Sequence, residues 1–252
     1  MGELLNAYTP MRSIIIAPAH EKYRNFVENL DEVFHKEGKT IYQERNEIKT
    51  FSMEDGVTIN VKRFTVPNII NKHVYAFFRK PKAVRAYKNA LRLKTLGINT
   101  PEPIGYMVYR TLWSIRHSYL VTFQSHLTRT MYEFGYSNLD GRDDIVRAFA
   151  HFTADLHDKG VYHKDFSPGN ILFDKNEHGG YDFSLVDINR IKFMQVSVEA
   201  GCRNLCRLWG REDFLTVLAD EYATVRNADK TLVRELIFKY HEKFWRNRRK
   251  HF

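Results

Sequence analysis

The sequence predicts an α+β chain of two lobes, a small β-rich front half with one main helix and a mostly helical back half. Three observations carry this. Up to about residue 125 the apolar residues mostly fall in short alternating runs, the period of half-buried strands. From 143 to 159 they recur at helical spacing. The 252 residues, 43% hydrophobic and 27% charged, hold enough apolar material for one domain of two lobes. The front lobe is placed at about 1–122 and the back lobe at 123–252, as one domain spanning 1–252.

Taken in order, residues 21–37 carry Tyr23, Phe26, Val27, Leu30, Val33 and Phe34 at helical spacing, stopped by Gly38. The runs NEIKTFSM and VTINVKRF flank Glu54-Asp55-Gly56, a β-hairpin with Asp-Gly at its turn. In its second strand Val57, Ile59 and Val61 alternate with Thr58, Asn60 and Lys62, so Lys62 points away from the aliphatic face. A basic helix is expected over about 82–96, ended by Gly97 and the Pro101–Pro103 break. IGYMVYRT and SYLVTFQS read as two more strands, followed by a connector near 122–128. The helix over 143–159 presents Ile145, Phe149, Phe152 and Leu156 and stops at Gly160. Short strands at NILF and YDFSLVD flank a turn at Asn176–Gly180, and 200–250 reads as helices.

Composition excludes several classes. The only cysteines, Cys202 and Cys206, cannot make a disulfide framework or a four-ligand zinc site, so packing is their expected role and a reducing compartment is implied. The opening residues lack a signal-peptide pattern and no run of 18 apolar residues occurs, so the expected location is cytosolic. The net charge of +9 is localised. Between Lys62 and Pro101 lie ten Lys or Arg (62, 63, 72, 79, 80, 82, 85, 88, 92 and 94) and no Asp or Glu. Taking those ten from the 39 basic residues leaves near balance against the 30 acidic ones. Such a segment suits phosphate-rich partners, whereas a solvated helix face is the plainer alternative. The tail HEKFWRNRRKHF mixes Phe244, Trp245 and Phe252 with Lys243, Arg246, Arg248, Arg249 and Lys250. That mixture suits an anionic membrane surface, and equally a frayed helix end. Nucleic acid is disfavoured, because no recognised binding motif accompanies the charge.

The chemistry concentrates in VYHKDFSPGNILF. After the glycine-stopped helix comes a loop with His163, Asp165 and Asn170, then a hairpin delivering Leu185-Val186-Asp187-Ile188-Asn189. Upstream, Lys62 sits on a strand. Phosphoryl transfer needs such parts, since catalysis there is mainly positioning and charge neutralisation. Asp165 would orient and deprotonate an attacking hydroxyl, Asn170 and Asp187 would hold Mg2+, and Lys62 would grip the phosphates of ATP. His163 is expected to pack and hydrogen-bond within the loop, and Ser167-Pro168-Gly169 to aim Asn170.

These residues resemble the protein-kinase-like superfamily, and within it the lipopolysaccharide-core kinases of the Kdo/heptose family of Gram-negative bacteria. The resemblance runs from about Glu44 to Gly210 and is strongest at INVKRF, LKTLGINTPEPIGY, HKDFSPGN and LVDINR. It implies a bilobal protein-kinase-like fold. It also implies an ATP- and Mg2+-dependent kinase that phosphorylates a sugar hydroxyl of an anionic glycolipid acceptor at the cytoplasmic membrane surface. His163-Lys164-Asp165 with Asn170 stands for H-R-D-x-x-x-x-N, and Asp187-Ile188-Asn189 for D-F-G. Asn189 replaces the glycine, which the tolerance of Asn for left-handed backbone allows.

Three departures stand out. No glycine loop precedes Lys62, and the hairpin around Tyr42-Gln43-Glu44-Arg45-Asn46 has no glycine at all. The basic helix offers no glutamate to Lys62 and carries Lys88 near the expected place, which would repel Lys62 if the two faced each other; Glu47 is a candidate substitute partner. Finally, the helical run at Arg203 begins only 14 positions after Asn189 and A-P-E is missing, leaving little room to dock a peptide substrate. The departures keep open a pseudokinase that binds nucleotide, membrane or partner without turnover. A kinase for protein or a small metabolite is the further alternative.

Overall fold

A computed structural model describes residues 11–65, 80–110, 115–135 and 137–249. The chain divides into two compact units, Met1–Leu93 with Pro101–Ser125 and Lys94–Thr100 with His126–Phe252.

The first unit is a six-stranded antiparallel sheet. Its strands are β1 (Met11–Ile16), β2 (Lys39–Gln43), β3 (Asn46–Ser52), β4 (Thr58–Thr65), β5 (Pro103–Arg110) and β6 (Ile115–Phe123), in the order β1-β5-β6-β4-β3-β2. The β3–β4 hairpin forms where expected, with Gly56 N–H donating to Met53 O and Val57 N–H to Asp55 Oδ1. Strand alternation then sorts the side chains. Ile59, Val61, Met107, Tyr119 and Val121 face a core shared with Val27, Leu30 and Phe34. The last three come from α1 (Arg24–Glu28) and α2 (Leu30–Lys36). The expected continuous helix over 21–37 is thus broken. Asn29, at φ −97° and ψ 9°, separates the two pieces, and its amide donates to Asn25 O and Oδ1, both at 2.9 Å. Asn favours such local bonds over helix continuation. Asp31 ties α2 to the sheet by accepting from Tyr119 Oη at 2.9 Å and pairing with His117 Nε2 at 3.0 Å.

The basic helix is α3 (Lys82–Thr95). It buries Ala83, Val84, Ala86, Tyr87, Ala90 and Leu93 and leaves Lys88, Arg92 and Lys94 in solvent. Lys72 and Arg79 of the basic segment lie outside the described residues, as do Lys250 and Phe252 of the tail.

The second unit is mainly helical. α4 (Asp143–Asp158) packs against α6 (Glu212–Val225), which follows the short α5 (Val198–Asn204) and precedes α7 (Lys230–Arg249). Asp143 and Asp144 in the first turn of α4 complement its dipole. Gly160 ends that helix region at φ +72°, a conformation that disfavours any residue with a Cβ. The hairpin of β9 (Ile171–Lys175) and β10 (Tyr181–Leu185) carries β7 (Arg129–Thr130) on its edge, while β8 (Val161–His163) pairs with β11 (Ile191–Phe193). Among the described residues no helix is long and apolar enough to cross a membrane.

Candidate active site

The loop after β8 is fastened at both ends. Phe166, fully buried, stacks on Phe149 of α4 with centroids 6.0 Å apart and planes 16° apart. The Pro168–Asn170 turn then brings the chain into β9. A Cβ on Gly169 would sit 2.4 Å from the Tyr132 ring, so this approach needs the glycine. His163 is fully buried; its Nδ1 accepts the Asp165 backbone N–H at 3.1 Å, so Nε2 carries the proton and donates to Val186 O at 3.1 Å. Burial holds its pKa below the ordinary imidazole value. Both ring nitrogens are used, which makes His163 a brace for the loop and leaves no lone pair for proton transfer.

Asn170 turns its amide back onto the loop, donating to Asp165 O at 2.8 Å and Ser167 Oγ at 3.1 Å. With both amide hydrogens committed inward, Oδ1 is the atom available to a cation. The hairpin register pairs Ile171 with Leu185, and Val186 N–H donates to Asn170 O at 3.0 Å. Asp187 therefore emerges at the same hairpin end as Asn170. It adopts φ 53° and ψ 40°, a left-handed conformation costing on the order of 1–3 kcal/mol for a non-glycine residue. The left-handed backbone that the sequence allows at Asn189 falls at Asp187 instead. Asn189 lies in the 3-10 turn Ile188–Arg190, is buried, and donates from Nδ2 to Asp187 Oδ1 at 2.9 Å. That bond holds the carboxylate and helps offset the strain. An amide oxygen and a carboxylate are the hard donors that Mg2+ accepts when phosphates and water complete its shell, so the residues fit the ion.

Asp165 is half-buried and meets two arginines. Arg207 Nη1 donates to Oδ1 at 2.8 Å, and Arg190 Nη1 lies 3.8 Å from Oδ2. Behind the loop, Asn204 Nδ2 donates to His163 O at 2.9 Å, and Asn204 Oδ1 pairs with His157 Nε2 at 3.1 Å. His157 Nδ1 meets Tyr222 Oη at 2.8 Å, and Arg226 donates to the same hydroxyl at 2.9 Å. Sequence reading assigned no role to Arg190, Arg207, Asn204 or His157. The Arg207–Asp165 contact spans 42 positions and the Asn204–His163 contact 41, distances over which no local pattern reports.

In the first unit, Lys62 shares its sheet face with Leu120 and Phe64, its Nζ 5.3 Å from the Phe64 ring centroid. Lys82 of α3 lies 5.9 Å over the same ring. Lys88, expected near Lys62, is instead on the solvent side of α3. Glu47 is opposite Arg63 in register, so the pleat turns it to the other face, where it meets Lys49 at 3.9 Å and Arg63 at 4.0 Å. Glu47 is therefore not the substitute partner of Lys62.

With this geometry in view, the sequence model of the lipopolysaccharide kinase (Kdo/WaaP) family matches residues 31–223. The chain belongs to that family. It is a phosphotransferase with an alcohol acceptor, of lipopolysaccharide core biosynthesis, which sets aside the reading of a non-catalytic binding module. Among solved structures the kinase is similar to WaaP in complex with acyl carrier protein. That match has 16% identity, covers 92% of this chain and 98% of that one, and has a TM-score of 0.61. It is also similar to the amicoumacin kinase hAmiN in complex with AMP-PNP, Ca2+ and Ami, at 10% identity, 87% coverage of each chain and a TM-score of 0.53. These likenesses support the α+β, protein-kinase-like fold expected from the sequence. Comparison with curated protein sequences finds no significant match. The run after Asn189 is shorter than expected, since α5 already starts at Val198.

Proposed function

We propose that the kinase uses ATP and Mg2+ to phosphorylate a sugar hydroxyl of a lipopolysaccharide-type, lipid-linked glycan at the inner face of the cytoplasmic membrane. The observation that carries this is the fixed loop of Asp165 and Asn170, joined by a backbone hydrogen bond from Val186 to the hairpin end that presents Asp187. Asp165 receives the acceptor hydroxyl and takes its proton as the oxygen forms its bond to the γ-phosphorus. The bond from that phosphorus to the bridging oxygen breaks, and ADP leaves with the electron pair. Asn170 and Asp187 would hold Mg2+, which when bound neutralises phosphate charge. Lys62, on β4, is assigned the nucleotide phosphates from the family resemblance.

A non-protein acceptor is supported by the short run between Asn189 and α5. Location at an anionic surface is supported by the exposed Lys88, Arg92 and Lys94 of α3 and by Lys243, Arg246 and Arg248 of α7. Each basic side chain near such a surface contributes about 1 kcal/mol. The tail aromatics contribute less to this reading than the sequence suggested. Phe244 and Trp245 are half-buried, and Trp245 packs edge-on against Trp209 at 5.7 Å.

The test is transfer of label from γ-labelled ATP in the presence of Mg2+. Purified lipid A–core is offered beside a generic protein acceptor and a panel of neutral sugars. Label on the glycolipid, abolished by chelation, supports the proposal; label only on protein or on small sugars contradicts it.

A further inference from the structure

Both oxygens of Asp165 meet guanidinium groups. Arg207 donates to Oδ1 at 2.8 Å and is 29% exposed; Arg190 lies 3.8 Å from Oδ2 and is 49% exposed. Only Nη1 of Arg207 is engaged. Its Nε and Nη2 meet no protein acceptor among the described residues, so one edge of the fork is open. One face of the guanidinium is covered by Phe244 of α7, 5.1 Å from the ring centroid, and Arg248 lies over the same ring at 5.2 Å. Arg207 is thus braced in place by an aromatic ring as well as by its carboxylate.

This arrangement poses a problem for a neutral acceptor. Its hydroxyl would enter between two cations and a carboxylate while offering the cations a neutral oxygen and no counter-charge. An acidic acceptor resolves this. A carboxylate or phosphate close to the reacting hydroxyl can take the open edge of Arg207 in the two-pronged geometry that guanidinium favours. The charge of the contact itself agrees: the Asp165 carboxylate meets two guanidinium groups and neutralises only one of them. Without the arginines, Asp165 would repel an acidic sugar.

We infer that Arg207, assisted by Arg190, forms an oxyanion subsite that selects acceptors carrying an acidic group next to the hydroxyl to be phosphorylated. The inference rests on Asp165 being the residue that receives that hydroxyl. Arg207 is then a specificity-determining residue, its Nη1 staying on the loop aspartate while its open edge holds the acceptor anion.

The experiment uses paired acceptors on the full chain. One pair is a core oligosaccharide with its carboxylates free or methyl-esterified; the other carries sugar phosphates or has been treated with phosphatase. Wild type is expected to favour the charged member of one pair by about 10- to 100-fold in kcat/KM, the worth of charge-assisted hydrogen bonds. The pair that shows the preference identifies carboxylate or phosphate as the ligand. In Arg207→Gln the preference should fall to within about threefold, mainly through KM for the charged acceptor, and Arg190→Gln should fall between. Equal use of both members by wild type overturns the inference. So does a variant in which kcat drops by the same factor for both members, the signature of a role on the transferred phosphoryl group alone. If Arg207→Gln does not fold, the wild-type ratios and the more exposed Arg190→Gln decide. A separate titration without ATP, using the sugar acid Kdo and its methyl ester with Kdo phosphate as a third probe, keeps the two proposals apart. Charge-selective binding lost in the variants, with no turnover of any core acceptor, upholds the subsite and sinks the kinase assignment. Turnover with no charge selectivity in binding or rate does the reverse.

Discussion

Asn204 donates to the backbone carbonyl of His163 at 2.9 Å, joining the end of α5 to the strand that leads into the Asp165 loop. Its Oδ1 takes the Nε2 proton of His157, which leaves His157 Nδ1 to accept from Tyr222 Oη. Every member is buried, and every polar atom of the chain from His163 O to Tyr222 Oη has a partner. Such a network is stabilising only when complete. Asn204→Ala should strand two buried groups and lower stability by about 2–4 kcal/mol, at roughly 1–3 kcal/mol per unsatisfied group with partial relaxation. Gly201→Ala should act on the same network from the other side, because a Cβ there would lie 2.0 Å from Tyr222 Oη and 2.9 Å from His157 Nδ1. Denaturant titration of the two variants checks both; a loss under about 0.5 kcal/mol in each would show the network to be incidental.

The same histidines set a pH dependence. Burial pushes the His157 pKa down to about 4 and lowers that of His163. In the unfolded chain both titrate near the ordinary value of about 6.5. Between those limits the unfolded chain binds protons that the folded chain does not, so stability falls as pH drops from about 6.5 towards 4 and is unaffected by these groups above about 7. His157 contributes a slope of up to about 1.4 kcal/mol per pH unit in that window, and His163, lowered as well, adds to it in the same direction. Melting temperatures from pH 7.5 to 4.5 should fall, and in His157→Gln the slope should shrink by about one proton. A flat profile would contradict the assignment of both rings as neutral.

The cysteines give a prediction of inertness. Burial pushes the Cys202 thiol up to about 12 and raises that of Cys206 as well. Native protein at pH 7.5 should therefore show no fast-reacting thiol with an aromatic disulfide reagent. Both should react on denaturation, since both are free. A rapid burst from the folded chain would point to a reactive role that the sequence also gave no reason to expect.

Asn189 supplies a test of the left-handed turn. Its amide donates to Asp187 Oδ1, so Asn189→Ala should remove one contact that orients that carboxylate and raise the Mg2+ concentration that turnover needs. Asn189→Gly, the residue of the more common motif, should do the same, because the positive φ belongs to Asp187 and not to position 189. We expect the apparent Mg2+ affinity to fall by about 10- to 100-fold in both, the usual effect of losing a residue that orients a metal ligand. Retained affinity in Asn189→Gly alone would restore the view that position 189 is the backbone pivot.

Much of this molecule was legible because local physics reports it. Alternation at Val57, Ile59 and Val61 placed Lys62 on the opposite face. The apolar stripe of Ile145, Phe149 and Leu156 located α4, and the Asp-Gly turn located the β3–β4 hairpin. What escaped depends on long-range contact or on single side chains. The helix over 21–37 breaks at Asn29 because one amide prefers two local bonds, a choice that periodicity does not register. β1 hid within a short apolar run because its partner, β5, lies about 90 residues on. Lys88 and Glu47 were placed by spacing, whereas the face of α3 and the pleat of β3 decide where they point. Arg207 reaches Asp165 only after α5 has folded back, so nothing around it announced a role.

The proposed transfer depends on Asp165 receiving the acceptor hydroxyl. The most direct measurement is single-turnover phosphoryl transfer from ATP to lipid A–core by wild type and by Asp165→Asn, with melting curves for both. Asn preserves the shape and can still accept from Arg207, so the variant should fold like wild type. Its rate should be lower by about 10²- to 10⁴-fold, the range for loss of a general base. An Asp165→Asn kinase with wild-type rate and wild-type stability would contradict that dependence.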